Sequence, residues 1–217
     1  MLNSMIIILG VTLLIGLLYC EKRENPRGLL PIKTLLSLLF IFTAVIQPHP
    51  LSRYYHFLLA GLVFCLGGDV FLAFPQKRMF LYGLVSFLVG HVFYIFAFIL
   101  VARVNPLTGA GSLSVLVISI WVYAWLRPYL GTMKVPVIVY IIVISIMFSG
   151  AWSVLGNTDM SMHGRIMVFV GAMSFYFSDV FVARDRFISK QFLNRAMGLS
   201  LYYAGQFLLA FSLGLLR

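Results

Sequence analysis

Residues 79–101 read MFLYGLVSFLVGHVFYIFAFILV, a run with no Asp, Glu, Lys or Arg in it. A helix that crosses the hydrocarbon core of a bilayer needs roughly 20 mainly apolar residues, range about 17–25. This run meets that requirement by itself, and the rest of the chain repeats its pattern. Of the 217 residues, 62% are hydrophobic and 10% are charged, and the mean hydropathy is +1.02. A soluble domain is about 45–50% apolar and about 25% charged. Water is therefore a poor solvent for this surface, and lipid a good one.

Reading outward from 79–101 gives eight candidate spans, at 2–20, 29–46, 54–74, 79–101, 112–126, 135–155, 165–183 and 195–216. The gaps between them hold Pro, Gly and charged residues, and none is long enough for a soluble domain. Shorter alternating segments, the mark of a transmembrane β-barrel, are absent. The expected fold is an all-α polytopic bundle of eight helices, one membrane domain over 1–217. The first run lacks a basic leader, and Leu17-Leu18-Tyr19-Cys20 puts bulky Tyr19 where a lipoprotein signal needs a small residue. It reads as a retained span.

The net charge of +10 invites a nucleic-acid reading, which the distribution of the charges argues against. Lys and Arg fall in short clusters between apolar runs, the pattern that encodes membrane topology, with a further role in holding anionic headgroups. One side collects twelve of the sixteen: Lys22, Arg23, Arg27, Lys33, Lys77, Arg78, Arg127, Lys134, Arg184, Arg186, Lys190 and Arg195. The other has four: Arg53, Arg103, Arg165 and Arg217. The positive-inside rule then puts both termini outside and the loops after spans 1, 3, 5 and 7 in the cytoplasm. With the compact length, this bias suits a bacterial inner membrane, with a periplasmic outer side. Cys20 and Cys65 have neither metal-ligand spacing nor a disulfide framework.

Two hairpins of the chain resemble each other. Span 3 holds Gly61 and, eight residues on, Asp69-Val70-Phe71-Leu72-Ala73. Span 7 holds Gly171 and, eight residues on, Asp179-Val180-Phe181-Val182-Ala183. Gly83-Leu84, Phe87 and Gly90-His91 in span 4 align with Gly198-Leu199, Tyr202 and Gly205-Gln206 in span 8. Pro31 and Pro136 stand near the same end of spans 2 and 6. Matching pairs lie four spans apart, so the halves run in the same direction as a 4+4 parallel repeat. Repeats of this kind place sites at the junction between halves.

Asp69 and Asp179 lie four to six residues inside the basic end of their spans, at a depth of about 6–9 Å at 1.5 Å per residue. Lys33 and Tyr140 share that level, and His91 and Gln206 lie deeper, at about 16–18 Å. The pattern predicts a cavity open toward the inner leaflet. An ionisable residue in a span costs about 2.5–3.5 kcal/mol on insertion scales. Two at matched repeat positions therefore point to function over a structural hydrogen bond.

Several motifs resemble those of the lysoplasmalogenase, or YhhN-like, family of eight-span hydrolases of vinyl-ether lysolipids. They are Gly67-Gly68-Asp69-Val70-Phe71, Gly90-His91-Val92-Phe93-Tyr94 and Val135-Pro136-Val137-Ile138-Val139-Tyr140. Ser174-Phe175-Tyr176-Phe177-Ser178-Asp179 and Tyr202-Tyr203-Ala204-Gly205-Gln206 complete the set. The resemblance implies hydrolysis of lysoplasmalogen to a fatty aldehyde and a glycerophospho-alcohol, with two essential intramembrane aspartates, which map onto Asp69 and Asp179. Many members carry Lys-Pro early in span 2. Here Lys33 is followed by Thr34, with Pro31 before it.

A vinyl ether breaks when its double bond is protonated to an oxocarbenium ion, which then takes up water and collapses. The reaction needs a proton donor, a negative charge near the cation and a group that aims water. Two carboxyls can divide these tasks, and two facing one chamber are expected to share one proton. Asp179 is the preferred acid, because Ser174, Tyr176 and Ser178 could orient water for Asp69; the reverse assignment stays open. Lys33, His91, Tyr94, Tyr140, Ser178, Tyr202 and Gln206 are the expected substrate-binding lining.

Each has a plainer reading. Lys33 could snorkel to the interface, and His91 and Gln206 could tie helices together. Trp121, Trp125 and Trp152 read as packing or interface residues. Glu21, Glu24, Asp159 and Asp185 read as solvated loop charges. No His and Asp cluster at helical spacing calls for zinc, and no cofactor is implied. The expected partners are a lysophospholipid substrate and membrane lipid, not nucleic acid; oligomeric state is not encoded legibly. A proton-coupled transporter or lipid carrier using the same acids is the alternative function.

Overall fold

The structure, a computed structural model, describes residues 1–24 and 26–217, without the side chains of Pro26, Arg27 and Lys77. Arg27 and Lys77, both counted above for orientation, thus lie outside the described side chains. Eight long helices account for most of the chain: α1 Leu2–Lys22, α2 Pro26–Ile46, α3 Ser52–Leu72, α4 Lys77–Val101, α5 Pro106–Leu126, α6 Lys134–Leu155, α7 Met162–Ala183 and α8 Phe192–Ser212. Two 3₁₀ turns, Arg127–Tyr129 and Gly131–Met133, join α5 to α6, and a π-helical turn, Arg184–Ile188, continues α7.

By length and composition, α1 to α7 can each cross a bilayer. The last helix, α8, has 21 residues and is the least apolar of the eight. Its polar groups point inward: Asn194, Tyr202, Tyr203, Gln206 and Ser212 are buried. Its apolarity is thus concentrated on the outside, and its average understates its fitness for lipid. Long apolar faces of α1 (Ile7, Ile8, Val11, Ile15) and α5 (Leu116, Val117, Ile120) are exposed. Surfaces of that extent belong against another apolar phase.

Helix α5 begins at Pro106, ahead of the expected 112. Asn105 caps it: its Oδ1 accepts from the Thr108 amide at 3.2 Å, while the Thr108 hydroxyl accepts from the Asn105 amide at 3.1 Å. With Pro106 in the first turn, this is a reciprocal cap that starts the helix inside a segment read as a loop. At the other end of the chain, α8 runs from Phe192 to Ser212 where 195–216 was expected. That shift places Asn194 and Arg195 in its first turn.

Sequential helices pair throughout, most closely α3 with α4 and α7 with α8. Across the halves, α4 packs on α6 and α2 packs on α8, the same exchange seen from either half. Glycines set the closeness of both hairpins. A methyl group on Gly61 would lie 3.1 Å from the Gly90 carbonyl oxygen, and one on Gly171 would lie 3.1 Å from the Gly205 carbonyl oxygen. The aligned glycines therefore occupy the same crossing in each half, where the facing backbone comes close and a side chain of the partner helix, Tyr94 over Gly61 and Leu209 over Gly171, packs directly onto the glycine.

This yields a test on stability. Gly171→Ala is expected to cost about 1–3 kcal/mol through overpacking, read as earlier thermal unfolding of the purified protein. Gly109→Ala, with nothing within 4 Å of the added carbon, should leave the transition within error of the parent. Equal effects at the two positions would contradict the crossing.

Candidate active site

Asp69 sits in the last turn of α3 and is 3% exposed. Its Oδ2 accepts the Tyr202 hydroxyl at 2.6 Å and lies 2.6 Å from Ser37 Oγ. Ser37 Oγ is also 2.9 Å from the Lys33 carbonyl oxygen, and its single proton favours the shorter contact. Both Asp69 contacts are at the short end of the range for hydroxyl donors. Ser37 comes from α2 and Tyr202 from α8, so the aspartate of the first half is held partly by a helix of the second.

Asp179, in the last turns of α7, is half-buried. Its Oδ2 accepts the Tyr140 hydroxyl, from α6, at 2.7 Å. Each aspartate thus receives one phenol, but Asp69 has a second hydroxyl on the same oxygen. The two acids occupy matched positions in their hairpins with unequal surroundings.

Both line one cavity of about 260 Å³. Lys33, Tyr140, Ser178 and Tyr202 line it too, so it collects six of the nine residues expected at the site. Lys33 makes no ion pair with either aspartate among the described residues. The Ser178 hydroxyl is turned to the Gly198 carbonyl at 2.8 Å and ties α7 to α8. Tyr176 reaches the cavity wall, but its hydroxyl is 2.7 Å from Ser119 Oγ. Ser174 is outside the lining. The water-aiming trio read from the sequence is therefore mostly engaged elsewhere. Ser37, Tyr140 and Tyr202 are the hydroxyls next to the carboxyls.

His91, Tyr94 and Gln206 are not in the lining. They form a fully buried layer, in which the Tyr94 hydroxyl donates to Gln206 Oε1 at 2.6 Å. The His91 ring packs edge-on against Phe175, with centroids 4.5 Å apart, and against Tyr140 at 5.3 Å. Both His91 ring nitrogens and Gln206 Nε2 are buried without a hydrogen-bond partner among the described residues. His91 thus contacts the site through the Tyr140 ring.

The cavity's other end was not legible in the sequence. Glu21, Asp185, Arg186, Asn194 and Arg195 line it, at the connection ends of α1, the π-helical turn and α8. Glu21, expected as a solvated charge, has a side chain 11% exposed and lies 3.3 Å from Arg195 Nε. Asp185, also expected to be solvated, accepts the Gln191 amide at 2.9 Å. By contrast Asp159 is exposed and pairs with Arg103 at 2.7 Å. The remaining walls are apolar, with Leu84, Phe87, Val137, Ile141 and Ile144 among them. No three His, Cys, Asp or Glu side chains among the described residues are grouped to hold a metal ion.

The apolar spans, and one cavity lined by two intramembrane carboxyls, apolar side chains and a group of charged residues, define a polytopic helical membrane protein. The chain belongs to the YhhN family, whose profile matches residues 30–213. It is 32% identical over 157 residues to lysoplasmalogenase TMEM86A of Bos taurus, covering 70% of this chain and 62% of that protein. It is 31% identical over 158 residues to a lysoplasmalogenase of Mycobacterium tuberculosis, covering 70% of this chain and 58% of that protein. With lysoplasmalogenase TMEM86B of Mus musculus the identity is 32% over 178 residues, covering 80% and 70%. The chain thus spans about 60% of the length of the first two relatives. No solved structure matches it.

Proposed function

We propose that this protein is a membrane hydrolase that cleaves the vinyl-ether bond of lysoplasmalogen, giving a fatty aldehyde and a glycerophospho-alcohol. The observation that carries the reading is that Asp69 and Asp179 open onto one cavity with an apolar wall and a charged mouth. Names of the relatives point the same way. The charge bias supports a cytoplasmic mouth in a bacterial inner membrane, with both termini on the periplasmic side.

The unequal surroundings divide the roles. Asp69, with two hydroxyls aimed at one oxygen, suits the carboxylate that faces the oxocarbenium ion. Asp179, with one hydroxyl on Oδ2 and no partner on Oδ1 among the described residues, suits the acid that carries the proton. Asp179 gives that proton to the alkenyl carbon remote from the ether oxygen, and the adjacent carbon becomes the cation. Water adds to that carbon as Asp179 takes back a proton. The resulting hemiacetal expels the glycerol oxygen, which leaves as the alcohol, and the aldehyde remains. Electrostatic stabilisation by a carboxylate fixed in advance is the larger part of such a mechanism, and the proton transfer adds about 10²–10⁴-fold.

The reading is tested by aldehyde release from lysolipids that share a headgroup but carry a 1-alkenyl, a 1-acyl or a 1-alkyl chain. Turnover is expected from the alkenyl lipid alone. Equal cleavage of the acyl lipid would replace the ether reading with an esterase. A pH gradient driving lipid flux without aldehyde would favour the carrier.

A further inference from the structure

We infer that the cavity mouth is a headgroup site that prefers a primary ammonium to a quaternary one, with Asn194 Oδ1 and Glu21 as the ammonium acceptors. The inference rests on the reading of the cavity as a lysophospholipid site and goes beyond it in naming how the headgroup is read.

Asn194 is 1% exposed and lines the cavity. Its Nδ2 donates to the Ser189 carbonyl at 2.8 Å, which fixes the amide: the flipped orientation would set two oxygens against each other. Oδ1 is then the buried atom left without a partner among the described residues. An unpaired buried acceptor costs about 1–3 kcal/mol, and an ammonium that displaces the atoms covering Oδ1 from the cavity side removes that cost. Glu21 stands in the same mouth, its carboxylate nearly enclosed, with Oε2 3.3 Å from Arg195 Nε but not hydrogen-bonded to it.

The cations beside these acceptors suit the phosphodiester. Arg195 follows Asn194 on α8, and its pairing with Glu21 at 3.3 Å already sets opposite charges side by side. A phosphate next to an ammonium presents the complementary pair. Arg186, also lining the mouth, lies with its guanidinium 4.3 Å above the Phe80 ring. That contact weighs against a quaternary ammonium at the ring nearest the arginines. A trimethylammonium has no N–H to donate and binds best over open aromatic faces, but here the Phe80 face is taken by Arg186. A primary ammonium brings three N–H donors to two acceptors that welcome them. Length fits as well. Along α8, Asn194 and Tyr202, the phenol on Asp69, are separated by about 12 Å at 1.5 Å per residue. An extended glycerophosphoethanolamine arm bridges that span.

The experiment uses the full chain in detergent with saturated 1-alkyl lysolipids, ethers that cannot be cleaved, carrying ethanolamine or choline. Direct binding is expected to favour the ethanolamine lipid by about tenfold. Glu21→Gln and Asn194→Leu are each expected to bring the ratio to within about threefold of one. Loss of folding would lower both affinities alike, so the ratio isolates headgroup reading. Asn194→Asp, which keeps an acceptor, should retain the preference. A parent ratio near or below one, or a ratio unchanged in both Glu21→Gln and Asn194→Leu, overturns the inference. Aldehyde release from the matching alkenyl lipids is measured in parallel. If the alkyl lipids bind with the expected preference but no aldehyde forms, the hydrolase reading fails and the headgroup site stands.

Discussion

Asp69→Asn and Asp179→Asn are each expected to lower aldehyde release by about 10²–10⁴-fold, with the folded state retained. Asparagine matches aspartate in shape, so the cavity keeps its form while the chemistry is lost. At Asp179 the change removes the proton that starts the reaction. At Asp69 it removes the negative charge that faces the cation, and it turns an acceptor of two hydroxyls into a neutral amide. The pair acts on one transition state, so the losses should not add; the double variant should be about as slow as the slower single one. Aldehyde release at saturating alkenyl lipid, alongside a thermal unfolding curve for each variant, checks this. Either single variant turning over at the parent rate while folded would remove that residue from the mechanism.

The second large effect is expected at the two phenols. Tyr202→Phe takes one of the two hydroxyls from Asp69, and Tyr140→Phe takes the one hydroxyl given to Asp179. A hydrogen bond to a charged group is worth about 1.5–3 kcal/mol; the charge stands on Asp69 throughout and develops on Asp179 as its proton leaves, so each change should slow turnover by about 10- to 100-fold. The rings themselves pack, Tyr202 against Phe175 and Phe87 and Tyr140 against His91, and phenylalanine keeps those contacts. Stability should therefore change little while rate changes much. The expected discrimination is sharp: Tyr94→Phe removes a hydroxyl bound to Gln206, away from the cavity lining, and its loss in rate should be the smallest of the three. A Tyr94→Phe effect as large as that of Tyr202→Phe would move the site deeper into the bundle.

The aspartates, and the phenols beside them, were legible because a charge in an apolar run has few innocent explanations, and here it occurred twice at matched positions. The glycines that set the hairpin crossings were legible for the same reason: Gly61 and Gly171 recur at the same distance from the acids. The sequence shortens α5 because Thr108, Gly109 and Gly111 lower local hydropathy. The sign that it starts earlier was present in Asn105, Pro106 and Thr108, a cap in place of a loop. Glu21 and Arg195 were a different matter. Their pairing joins α1 to α8 across the whole chain, and one sequence carries no signal of contact between residues so far apart. The expected span 195–216 leaves Asn194 just outside its helix, where an amide is ordinary. Only its burial, with one oxygen left over, makes it informative. Depth along a helix was a good guide to which residues share a level, but not to which face they occupy. His91 and Gln206 therefore fall behind the cavity wall with Tyr94.

The most direct measurement is an experimental structure of the protein with a saturated 1-alkyl lysophosphoethanolamine bound. The ether oxygen is expected at the inner end of the cavity, with the adjacent alkyl carbons against the carboxyls of Asp69 and Asp179. The phosphate should lie at the Arg195 end. A lipid seated on an outer face of the bundle, or one whose ether oxygen is remote from both carboxyls, would contradict the account.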